Sequence, residues 1–67
     1  MMYRLHFANK DCCRRFSRIL SMGGFSTSFL LSGCDYVGGV ILEFDAAAYC
    51  LASALLDYHT CECHFEV

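Results

Sequence analysis

Two kinds of apolar spacing alternate along the chain, and their order predicts the fold. In residues 3–7, Tyr-Arg-Leu-His-Phe, apolar and polar side chains alternate with period two. That is the signature of a strand with one buried face, and it turns Tyr3, Leu5 and Phe7 inward. From Lys10 to Met22 the spacing changes. Cys13, Phe16, Ile19 and Leu20 recur at helical intervals, with Arg14, Arg15 and Arg18 largely opposite them. Asn9 stands where an N-cap belongs, and Gly23-Gly24 ends the helix because glycine takes the left-handed conformation cheaply. Residues 25–31 return to period two, with Phe25, Thr27, Phe29 and Leu31 on one face and Ser26, Ser28 and Leu30 on the other. Residues 32–36 read as a turn, and residues 37–44 as a third strand with Val40, Leu42 and Phe44 inward. Asp45 is placed to cap a second helix over residues 46–58, whose buried stripe runs through Ala48 or Tyr49, Ala52, and Leu55 or Leu56. His59-Thr60 closes that helix. Residues 61–67 alternate again, with Cys61, Cys63, Phe65 and Val67 inward and Glu62, His64 and Glu66 outward.

The order is βαββαβ, so residues 1–67 are expected to form a single compact domain of the ferredoxin-like α+β class. Right-handed crossovers then give a four-stranded antiparallel sheet of order 4-1-3-2 with both helices on one face. The other sheet face stays open. It is expected to carry Arg4 and His6 from the first strand, Ser26, Ser28 and Leu30 from the second, and Ile41 and Glu43 from the third. The fourth adds Glu62, His64 and Glu66. If Arg4 pairs with Glu66 across the first and fourth strands, His6 falls opposite His64; a slip of two residues would pair Arg4 with His64 instead.

Composition narrows the class. Hydrophobic residues make up 57% of the chain and ten residues are Phe or Tyr, too apolar for a disordered segment. No run reaches the roughly 18 apolar residues of a membrane span. Arg4 and His6 interrupt the only early apolar run, so no signal peptide and no membrane association are expected, and the location is expected to be cytoplasmic. Charge is lopsided. All five basic residues, Arg4, Lys10, Arg14, Arg15 and Arg18, precede position 19, and Asp35, Glu43, Asp45, Asp57, Glu62 and Glu66 follow.

Six cysteines approach the density of a disulfide scaffold, but a periodic core needs no staples, and free buried thiols are expected in a reducing compartment. Cys34, in the turn, is the thiol expected to be exposed. Cys12 and Cys13 sit after the first strand at the start of a helix. That placement resembles heavy-metal-associated domains, which share this fold and size and carry a metal-binding Cys-x-x-Cys there. Here the two cysteines are adjacent and no Cys-x-x-Cys is present. A buried Cys13 and a partly exposed Cys12 are expected. Two histidines and two glutamates near one another could hold zinc, yet none has the spacing of a known ligand motif, so no metal or other cofactor is assigned.

No nucleophile or catalytic constellation stands out, and no enzyme activity is expected. Base-stacking aromatics are missing from the outward positions of strands one and three, so the sheet is not expected to bind nucleic acid directly. The reading that fits best is a non-enzymatic protein-interaction module. Small stand-alone proteins of this size often come from phages or mobile elements, so its expected role is that of an inhibitor of host machinery, acting as some anti-CRISPR proteins do. Its acidic half, Asp35, Glu43, Asp45, Asp57, Glu62 and Glu66, would mask a nucleic-acid-binding surface on a host protein or protein–nucleic acid complex. A homodimer is also compatible with so apolar a chain. The alternatives are a ligand-sensing domain of the ACT type, which shares this topology, and a thiol or metal carrier.

Overall fold

The expected order of elements is present in the structure, a computed structural model that describes residues 1–58 and 60–66. Strand β1 covers Met2–Phe7, helix α1 Lys10–Met22, β2 Thr27–Leu30 and β3 Val40–Asp45. A single 3₁₀ turn at Ala46–Ala48 leads into α2, Tyr49–Tyr58, and β4 covers Cys63–Phe65. The sheet order is β2-β3-β1-β4, all antiparallel, which is the expected 4-1-3-2 read from the other edge.

The caps work as the residue types imply. Asn9 is extended, and its Oδ1 accepts from the backbone N–H of Asp11 at 2.8 Å and of Cys12 at 3.4 Å. The left-handed residue after α1 is Gly24, at φ +89°. Asp45 caps the 3₁₀ turn by accepting from the Ala47 N–H at 2.9 Å.

One core lies between the sheet and the helices. It is built from Leu5 and Phe7, Cys13, Phe16 and Leu20, Val40, Leu42 and Phe44, and the two small residues Ala48 and Ala52. Phe7 and Phe16 meet edge-on at 5.2 Å between ring centres. At the opposite end Tyr3 packs on Tyr49 at 4.9 Å, and Tyr49 on Phe65 at 5.3 Å.

Several sequence expectations are corrected. β2 and β3 are shorter than residues 25–31 and 37–44, and the connection between them spans residues 31–39 rather than a tight turn. Gly33 and Gly38 take φ of +83° and +74°, which interrupts extended backbone on both sides of the bend. Val37 is fully exposed. Phe29 and Leu31 are 47% and 79% exposed, because β2 is the sheet edge and the helix layer does not reach over it. β4 begins at Cys63, not Cys61. The expected closure at His59 and the inward placement of Val67 lie outside the described residues.

The cysteines are not all free. Cys12 and Cys61 are joined as a disulfide, with Cα atoms 6.1 Å apart. Topology explains the meeting. β4 runs antiparallel to β1, so the chain leading into β4 passes the end of β1, where α1 begins. Cys13 is fully buried, and the exposed free thiol is Cys50 rather than Cys34. Cys34 points inward, its thiol 3.7 Å from the carbonyl oxygen of Phe7.

Candidate functional site

The sheet face away from the helices is only half open. Strand alternation places Arg4, His6, Ile41, Glu43 and His64 on it, as the period-two pattern requires. Yet His6 and Ile41 are only 2% and 3% exposed. The 31–39 loop lies across the end of the face over His6 and holds there by specific bonds. The Asp35 backbone N–H donates to His6 Nδ1 at 3.1 Å. At the loop's far end Gly39 lies so close to the sheet that a Cβ there would stand 2.3 Å from the Phe7 carbonyl oxygen, so only glycine fits.

The register fixes the rest. His6 pairs directly with His64, and Glu66 N–H donates to the Arg4 carbonyl at 2.9 Å, the first of the two pairings the sequence allows. The two imidazoles stack with centres 5.1 Å apart and planes 14° from parallel. Because His6 Nδ1 accepts, its proton resides on Nε2, which donates to Glu66 Oε1 at 3.2 Å. His64 Nε2 donates to Asp35 Oδ2 at 2.9 Å, and its Nδ1 accepts from the Tyr36 hydroxyl at 3.1 Å. Among the described residues no buried side-chain nitrogen or oxygen lacks a partner.

Arg4 extends this network along the face. Its Nε donates to Glu43 Oε2 at 3.0 Å, and one terminal nitrogen lies 3.6 Å from Glu66 Oε2. The Glu43 hydrogen bond, then the Glu66 and Glu43 charges, hold the guanidinium pKa above its ordinary value. Tyr36 is also pushed up, first by desolvation and then by the charges of Glu62, Cys63, Cys34 and Asp35. Glu62, whose backbone carbonyl accepts from the Ala8 N–H at 3.0 Å, is exposed at the approach to β4, two residues before His64.

Of the six acids expected to form a binding surface, the structure gathers four: Asp35, Glu43, Glu62 and Glu66. Asp45 is engaged as a cap at the far end of β3, and Asp57 lies exposed on α2 in the helix layer. The sequence did not reveal that Tyr36 and Asp35 belong with the histidines. The available signal was weak: a glycine-punctuated segment between two strands, long enough to fold back over a histidine pair. The basic residues lie elsewhere. Lys10, Arg14, Arg15 and Arg18 are all exposed on α1, and Arg14 and Arg18 line a shallow groove against β2 with Ser17, Ser26 and Phe29.

In the core between sheet and helices, burial pushes the Cys13 thiol up to about 12, with further contributions from the charges of Cys34 and Cys63. Burial also raises Cys63. A thiol held protonated in the fold stabilises it fully below the unfolded value near 9, and that stabilisation is lost as pH rises toward the folded value. Stability is therefore expected to fall above pH 9 by about 1.4 kcal/mol per pH unit from Cys13 alone. Urea midpoints measured between pH 8 and 11 check this, and a Cys13→Ala variant should show a shallower decline.

No known protein family, curated protein or solved structure matches this chain.

Proposed function

We propose that the protein is a non-enzymatic interaction module whose acidic sheet face covers a basic, nucleic-acid-binding surface of a host protein or protein–nucleic acid complex. Some small phage and mobile-element inhibitors of the anti-CRISPR kind work in this way. One observation carries the reading, the segregation of charge between two surfaces. Asp35, Glu43, Glu62 and Glu66 cluster on or beside the open face around a single arginine, Arg4, whereas Lys10, Arg14, Arg15 and Arg18 project from α1. A face with a net negative charge of about three, fixed by cross-strand pairing, suits electrostatic capture of a basic groove.

The network favours rigidity. Glu66 bridges Arg4 and His6, and Asp35 is tied to His64, so carboxylates are held in place before any partner arrives. Preorganised charges lose less freedom on binding than mobile ones.

A tagged copy exposed to nuclease-treated host lysate is expected to retain a stoichiometric partner that itself binds nucleic acid. Raising the salt to about 0.5 M should release it, since the Debye length shrinks to a few ångströms. Retention that is indifferent to salt, or a partner with no nucleic-acid-binding surface, overturns the reading.

A further inference from the structure

We propose that His6, Asp35 and His64 form a binding site for a divalent transition-metal ion, best suited to Zn²⁺. One donor atom from each of the three residues lies within 4.8 Å of the other two. Asp35 Oδ2 is 2.9 Å from His64 Nε2 and 3.8 Å from His6 Nδ1. Ligand atoms bonded to a tetrahedral zinc at 2.0–2.1 Å stand about 3.3 Å apart, so these separations bracket the required one. Two imidazoles and a carboxylate are the donor chemistry that Zn²⁺ and its neighbours favour over magnesium or calcium.

The second argument is orientation. A metal-bound imidazole needs its other nitrogen fixed by an outer partner. Both rings have one. Glu66 Oε1 lies 3.2 Å from His6 Nε2, and the Tyr36 hydroxyl lies 3.1 Å from His64 Nδ1. These partners leave His6 Nδ1 and His64 Nε2 as the atoms facing Asp35. His6 is almost completely buried and held in a strand at the centre of the sheet, so one ligand is rigid. Asp35 and His64 have side chains 67% and 40% exposed, which leaves a path for the ion and room for water in the remaining position.

Binding exchanges two hydrogen bonds for metal bonds. His6 Nδ1 accepts from the Asp35 N–H, and a metal takes that lone pair. His64 changes tautomer: the Nε2 proton is given up to solvent and Nδ1 takes one in its place, so that Nδ1–H donates to the Tyr36 hydroxyl oxygen and the Nε2 lone pair faces the ion beside Asp35. The amide belongs to the bent, exposed part of the 31–39 loop, so it can turn outward while the Asp35 carboxylate stays on the ion. The cation then clamps the loop to β1 and β4 and lowers the negative charge of the face, linking loop order to metal supply.

Titration with Co²⁺ as a spectroscopic stand-in for Zn²⁺, in the oxidised protein, tests the site. One ion per chain is expected, with visible ligand-field bands and no thiolate-to-cobalt charge transfer. Calorimetry with Zn²⁺ should show one site, weakened at least tenfold in both His64→Ala and Asp35→Asn, two exposed positions whose variants should fold. Glu66→Gln should weaken it by about ten- to a hundredfold, through His6. A charge-transfer band, which would place the ion on cysteines, overturns the proposal. So does unchanged affinity in either ligand variant, or no binding at millimolar Zn²⁺.

Discussion

Reducing the Cys12–Cys61 bridge is expected to lower the stability of this domain by about 4 kcal/mol. The bridge closes a loop with a sequence separation of 49, and loop-closure entropy for that length falls between the values for short and hundred-residue loops. The loss is large relative to what a chain of this size has. At about 0.05–0.15 kcal/mol per residue, a 67-residue domain holds roughly 3–10 kcal/mol in total. Reduction should therefore move the urea midpoint by several molar, or leave the protein largely unfolded at 37 °C. The Cys12→Ser/Cys61→Ser variant should start from the lower stability and respond to reductant no further. Superimposable unfolding curves with and without reductant would show that the bridge adds nothing.

The second large effect separates two phenylalanines that the sequence presents alike. Phe7 and Phe29 both fall on the inward face of a period-two run. Phe7 is wholly buried in a central strand, edge-on to Phe16, with its carbonyl against the loop at Gly39 and Cys34. Phe7→Ala is expected to cost about 3–5 kcal/mol. Phe29 lies on the edge strand and is 47% exposed, so Phe29→Ala should cost no more than about 1 kcal/mol. Denaturant unfolding of both variants checks the pair, and equal losses would mean that the helix layer covers β2 after all.

That contrast shows where a sequence is legible and where it is not. Period and caps are local, so β1, α1 and the capping by Asn9 and Asp45 could be read from adjacent residues. The opposition of His6 and His64 also followed, because an antiparallel register keeps the numbers in each pair at one sum. Burial at an edge depends on what lies overhead, which period two does not encode: Phe29 stands on the face the period gives, opposite the buried Leu42, and is still 47% exposed. The loop was the larger omission. Nothing local in residues 31–39 says that Asp35 will donate its amide to His6 or that Tyr36 will reach His64; those bonds arise only once β1, β3 and β4 are side by side. The Cys12–Cys61 bridge is likewise a product of topology rather than of spacing.

The charge pattern had been visible as two halves of a sequence, and the fold converts it into two surfaces. Asp45 and Asp57 were drawn away from the acidic face by a cap and a helix, while Asp35 was brought to it by the loop.

The most direct test of the acidic-face account is a paired charge reversal, read as retention of the partner captured from host lysate. Glu62→Lys/Glu66→Lys alters the open face, and Arg14→Glu/Arg18→Glu alters α1, with thermal melts confirming that both variants fold. The account predicts at least tenfold weaker retention for the first pair and little change for the second. Loss of the partner on reversing α1, with the glutamate variant still bound, would contradict it.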